Sequence, residues 1–158
     1  AIHKLLVDDF EDSNYSLLAV HCEMEGYRLA YYLNKYLETR LARTKEDLDF
    51  ITSLASFSVF KWSNKQLQTD WHLIKNSCLV EKMAVSQGLF SEINDKSWVV
   101  HSLLPEHHSV DYILKINNGG GFINEKQILD KIQKIPKVST AYSVDISQLK
   151  SKDHLIFN

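Results

Sequence analysis

The sequence predicts one α+β domain over residues 1–158, a largely antiparallel sheet packed by two amphipathic helices, with a ferredoxin-like βαβ half at its C-terminal end. Three observations lead there. Apolar and polar residues alternate from Val110 to Ile116, the pattern of a strand with one face on a core. Two stretches, residues 25–41 and 124–135, repeat apolar residues at three- and four-residue spacing, which puts them on one side of a helix. The second helix stands between the Val110 strand and another alternating run, residues 138–144. Strand, loop, helix, strand is the order of a βαβ unit, whose strands run parallel.

In chain order, residues 3–7 read as a strand closed by the acidic group Asp8, Asp9, Glu11 and Asp12, with Ser13 and Asn14 as turn formers. Residues 15–22 follow as its hairpin mate. Close carboxylates suit a hard cation, but the glycine and terminal glutamate of a calcium loop are missing, so a solvated turn is expected. In the first helix Leu29, Leu33, Tyr36, Leu37 and Leu41 make the apolar stripe, and Tyr27, Tyr31 and Tyr32 widen it. Arg28, Lys35, Arg40 and Arg43 make its exposed side and last turn basic, which suits the negative end of the helix dipole.

Residues 44–49 form a charged connector. Residues 56–62 carry apolar groups on both faces, Phe57 and Val59 against Phe60 and Trp62, as a central strand would. A turn at Ser63, Asn64 and Lys65 leads to an antiparallel mate at residues 70–75. Leu79 and Val80 extend a strand, and Gly88 and Asn94-Asp95 mark turns around Leu89-Phe90. Residues 98–104 form another strand, which Pro105 ends because it lacks an N–H and holds its predecessor extended. The strand that starts near Val110 places Val110, Tyr112, Leu114 and Ile116 on one face and Asp111, Ile113 and Lys115 on the other.

After Asn117-Asn118-Gly119-Gly120-Gly121, Asn124 caps the second helix with Gln127 at the capping-box position, and Ile128, Leu129, Ile132 and Ile135 form its buried stripe. Pro136 stops it. Val138, Thr140, Tyr142 and Val144 then share a strand face, and Asp145 is a cap. Leu155, Ile156 and Phe157 should dock, since burying each is worth about 1.5–3 kcal/mol.

Composition narrows the function. With 18 Lys+Arg against 20 Asp+Glu, interspersed, the chain lacks the basic excess of a phosphate-backbone binder, so generic nucleic-acid binding is not expected. No apolar run approaches the roughly 20 residues that span a bilayer, and the first residues lack signal-peptide architecture, so a soluble cytoplasmic protein is expected. Cys22 and Cys78 lie far apart without a CxxC partner and read as reduced thiols.

Chemistry is weakly marked. Gly119, Gly120 and Gly121 before a helix resemble a phosphate cradle, although neither a dinucleotide pattern nor a P-loop lysine accompanies them. This makes a small-ligand regulatory domain the second reading. Glu106, His107, His108 and Asp111 concentrate metal-ligand types, which makes a metal-dependent hydrolase the third, but adjacent histidines on an extended chain point apart. No nucleophile elbow or cysteine–histidine pattern is present, and no cofactor is expected. The leading reading is a non-enzymatic binding protein, an accessory subunit or adaptor of a larger assembly, able also to form a homo-oligomer. Its contact loop would use Pro105, Glu106, His107, His108, Asp111 and Tyr112. Three tryptophans and seven tyrosines supply side chains favoured as interface anchors.

Leu104-Pro105-Glu106 and Val110-Asp111-Tyr112 resemble the signature IPExxxVDY of an uncharacterised bacterial family, with leucine for its first isoleucine. Gly26-Tyr27-Arg28-Leu29 with Leu33-Asn34-Lys35, Ser56-Phe57-Ser58-Val59, Ile135-Pro136, Leu149-Lys150-Ser151-Lys152 and Leu155-Ile156-Phe157 are similar to further family segments over most of the chain. The resemblance implies a small cytoplasmic bacterial protein without an assigned activity, so it carries over no functional residue.

Overall fold

Residues 16–20 are buried one after another, as befits a strand covered on both faces. A computed structural model, which describes residues 15–83 and 96–157, places this strand, β1 (Tyr15–Cys22), inside a six-stranded sheet. It pairs antiparallel with β9 (Tyr112–Asn117) on one side and β10 (Val138–Ser143) on the other. Beyond β9 come β6 (Thr69–Lys75), β5 (Val59–Asn64) and the two-residue β2 (Ala42–Arg43), giving the order β10-β1-β9-β6-β5-β2. Two ribbons stand apart from it, β3 (Leu48–Phe50) with β4 (Ala55–Phe57) and β7 (Ser77–Met83) with β8 (Lys96–Ser102). The helices are α1 (Gly26–Leu37) and α2 (Glu125–Gln133), so the fold is α+β with a largely antiparallel sheet. The strand expected at residues 3–7 with its acidic turn, and the turns around Leu89-Phe90, lie outside the described residues.

Both faces of the sheet are covered. On one, Leu18, Val20, Leu73, Leu114 and Ile116 meet Leu29, Ala30 and Leu33 of α1 and Ile132 of α2. On the other, Leu17, Ala19, Ile74 and Ile113 meet Phe57, Leu103, Leu104, Val110, Leu149 and Leu155, from a ribbon and irregular chain. The sequence pattern shows only the first cover, because helical periodicity reveals helices and nothing marks apolar residues in irregular segments.

The strands β9 and β10 run parallel as the βαβ unit requires, with β1 between them, the split arrangement of a ferredoxin-like unit. Several other expectations need correction. Tyr27 and Tyr31 do not widen the stripe of α1 but are 66% and 62% exposed, because two residues from Leu29 and Leu33 is the opposite side of a helix. That helix ends at Leu37 with Glu38 left-handed (φ 57°), and Leu41 is buried beyond it. Asn34 ties this turn down, accepting from the Thr39 hydroxyl and the Leu41 amide, both at 2.8 Å. The expected strand at residues 56–62 breaks at Ser58, and β5 lies next to the edge of the sheet. The expected connector at residues 44–49 contains the start of β3. Val110 joins the core behind Ile113, not the face of Tyr112, because the strand begins only at Tyr112. A bulge opposite His21/Cys22 shifts β10, so Val138 and Ala141 face the helices while Thr140 and Tyr142 are exposed.

Candidate functional site

The stretch from Leu104 to Tyr112 folds around one buried amide. Asn76, between β6 and β7, has no exposed surface. Its Nδ2 donates to the His107 carbonyl at 2.8 Å and the Val110 carbonyl at 2.9 Å, and its Oδ1 accepts from the Leu104 amide at 3.0 Å. Its backbone N–H donates to the Asp111 carbonyl (2.9 Å), and its carbonyl accepts from Leu103 (2.7 Å). One residue thus satisfies both ends of the segment, which a buried amide must do to offset its desolvation. Within it Pro105 opens a 3₁₀ turn, Pro105–His107, where its missing N–H costs nothing.

The residues proposed as a contact loop divide into inward and outward sets. Glu106 accepts from the Ser151 hydroxyl and so ties the turn to the C-terminal segment. Asp111 Oδ2 accepts from the Cys22 amide at 2.9 Å, just past the last β1–β9 pair, Val20 with Tyr112. The Tyr112 hydroxyl donates to the Met24 carbonyl at 2.6 Å, and burial pushes its pKa up, so the phenol keeps its proton. Leu104 and Val110 are buried in the core behind the sheet. On the outer side lie Pro105, Glu106, His108 and Ser109, all exposed, and half-buried His107, so Glu106 is held by Ser151 at the surface. Glu106 therefore faces the C-terminal segment while Asp111 faces β1, and the two do not converge on one point. Among the described residues no group of three His, Cys, Asp or Glu side chains is placed to hold a metal ion.

The glycine loop has a conformational reason. Gly119 and Gly120 take φ +54° and +85°, where a side chain is strained. Two of its amides are already bonded, Gly119 N–H to Asn117 Oδ1 (2.9 Å) and Gly121 N–H to the Asn118 carbonyl (2.7 Å). The start of α2 is occupied as well: Asn124 Oδ1 accepts from the Gln127 amide (3.1 Å), and Glu125 accepts from Ser143.

Sequence reasoning missed four other features. On the β7–β8 ribbon Leu79 pairs with Val100 and Glu81 with Trp98, so Leu79, Trp98 and Val100 share a face, and they are 64%, 59% and 63% exposed. A cavity of about 680 Å³ lies between the end of α1 and the β5–β6 hairpin, beside the cross-strand pair Trp62 and Trp71. A second of about 340 Å³ opens over β5 and β6, where His72 is buried and its Nε2 has no hydrogen-bond partner among the described residues. A third of about 210 Å³ has His101 and His154 in its wall, with His101 Nε2 also unpartnered among the described residues and His154 Nδ1 2.7 Å from the Leu103 carbonyl. Alternation in residues 98–104 was legible, but which face would stay uncovered was not. Asn76 carried no signal beyond an amide residue between two strands.

A scan against protein-family models, a search of curated proteins and a search of solved structures each find no match to this chain. No helix among the described residues is long and apolar enough to cross a membrane.

Proposed function

We propose that the protein is a non-enzymatic cytoplasmic binding protein, an accessory subunit or adaptor of a larger bacterial assembly. It meets a protein partner through the outer face of the β7–β8 ribbon and the adjoining turn at His107 and His108. The observation that supports this most is the row Leu79, Val100 and Trp98, three large apolar side chains held in water on one face of a ribbon. Such a row is unfavourable alone and is what a partner with an apolar groove covers, with the indole as the anchor. The motif itself contributes rigidity, since its inward residues fasten the base of β8. Membership of the IPExxxVDY family is proposed on the same motif and adds no activity.

The test is native affinity capture from the source cell with the wild-type chain, Trp98→Glu and His107→Ala/His108→Ala. A partner that co-purifies in fixed proportion with the wild type should be lost with Trp98→Glu while the thermal midpoint holds. Undiminished capture by Trp98→Glu would remove the ribbon from the interface, and undiminished capture by the double variant would remove the turn.

A further inference from the structure

The cavity over His72 has the composition of an anion site with an apolar wall. His72 on β6 lies directly across from Lys61 on β5 and Lys115 on β9, so one buried imidazole stands between two lysines on the same face of the sheet. Lys115 is engaged: its Nζ donates to the Leu155 carbonyl at 2.7 Å and sits 4.6 Å and 4.7 Å from the ring centres of Tyr15 and Phe157. Lys61 is half-buried and has no ion-pair partner among the described residues. Of the acids nearby, Asp47 pairs with Arg43 and accepts from Ser56, while Glu46 is exposed at the rim beside exposed Lys45 and offsets it. Asp70 is the remaining carboxylate that acts on His72.

The cavity wall therefore holds one ammonium without an ion-pair partner and, in His72, a buried imidazole nitrogen without an acceptor, both among the described residues. Val59, Leu48 and Phe157 line the same space, with the Phe157 ring 4.8 Å from His72. Two donors on one side match the two oxygens of a carboxylate, whereas a phosphate dianion would call for more positive charge than this wall supplies. A volume of about 340 Å³ suits a small molecule and not a chain segment. We propose that this cavity binds a small carboxylic acid with a compact apolar body. The carboxylate lies between Lys61 Nζ and His72 Nε2, with the imidazole in the tautomer that carries its proton on Nε2, and the body rests on Val59, Leu48 and Phe157. The site is independent of the ribbon, and neither proposal needs the other.

The experiment follows the His72 imidazole by NMR in the full chain, assigned with His72→Gln, during titration with acetate, butyrate, hexanoate and benzoate. Hexanoate or benzoate should shift His72 saturably and more tightly than acetate. The bound anion should also raise the imidazole pKa from its depressed value of about 4, where burial and then Lys61 and Lys115 hold it. Lys61→Met should weaken binding at least about tenfold, the size of one lost charge-assisted hydrogen bond, with Lys61→Gln as the second variant. No saturable shift with any of the four acids would overturn the proposal. So would undiminished binding in both Lys61 variants, or equal binding of hexanamide or inorganic phosphate.

Discussion

At the scale of single residues, Asn76 and His72 are both buried polar groups, but their situations are opposite. Asn76 uses its amide on three backbone groups of the Leu104–Tyr112 segment, so removing it strands the Leu104 N–H and the Val110 carbonyl, while the His107 carbonyl keeps the Val110 amide at 3.0 Å. Asn76→Ala should cost about 3 kcal/mol in urea unfolding, since each buried group left unpaired costs about 1–3 kcal/mol less whatever water repairs. A loss below about 1 kcal/mol would show that the segment does not depend on this amide. His72 has its pKa lowered to about 4, by burial first and then by Lys61 and Lys115, against Asp70. The unfolded chain would protonate it near pH 6.5, so the folded state binds fewer protons between those values and stability falls as pH drops. The contribution is complete above about pH 6.5 and shrinks toward pH 4, by up to about 3 kcal/mol. His72→Phe should flatten that part of the pH–stability curve, and an unchanged curve would mean that His72 is not its source. Neither role was legible in the sequence. A lone Asn and a lone His look alike on paper whether they are satisfied, orphaned or solvated.

At the scale of elements, legibility followed periodicity. Helix α2 was readable because Asn124, Gln127, Ile132 and Ile135 each stand where capping and burial place them, and the structure has the cap bond at 3.1 Å. In α1 the core residues Leu29 and Leu33 were readable, but three tyrosines blurred its edge because a phenol suits either a core or a surface. The C-terminal segment is the instructive case. Its closing apolar run was expected to dock, and Leu155 is buried and Phe157 packs against the core behind the sheet while Ile156 is 64% exposed. The segment is a wall of the second core, fastened by Glu106 to Ser151 and by Lys115 to the Leu155 carbonyl. Leu155→Ala should therefore cost about 2–5 kcal/mol, as for any fully buried leucine. A cost under about 1 kcal/mol would mean that the segment lies on the sheet without closing its core.

At the scale of the whole molecule, the sheet divides two unlike covers. Two helices close one face, and their stripes predicted that core from spacing alone. The other face is closed by Leu103, Leu104, Val110, Leu149 and Leu155, which share no period because they sit in turns and irregular chain. The fold class was thus readable and half of its packing was not. This asymmetry extends to the surface, since among the described residues the β7–β8 ribbon has no strand neighbour beyond its own pair and leaves one face in water. A two-stranded ribbon is marginal by itself, whereas β1, β9 and β6 are paired on both edges and buried on both faces. Native-state hydrogen exchange should separate the two. Amides of β1 and β9 should open only with the whole chain, and those near Leu79–Val80 and Trp98–Val99 should exchange roughly a hundredfold faster. Protection of the ribbon equal to that of β1 would mean that it folds as part of the main core. A ribbon that opens on its own is one that a partner can order, so the same experiment repeated with a captured partner should show protection rising at Trp98 and Val100 first.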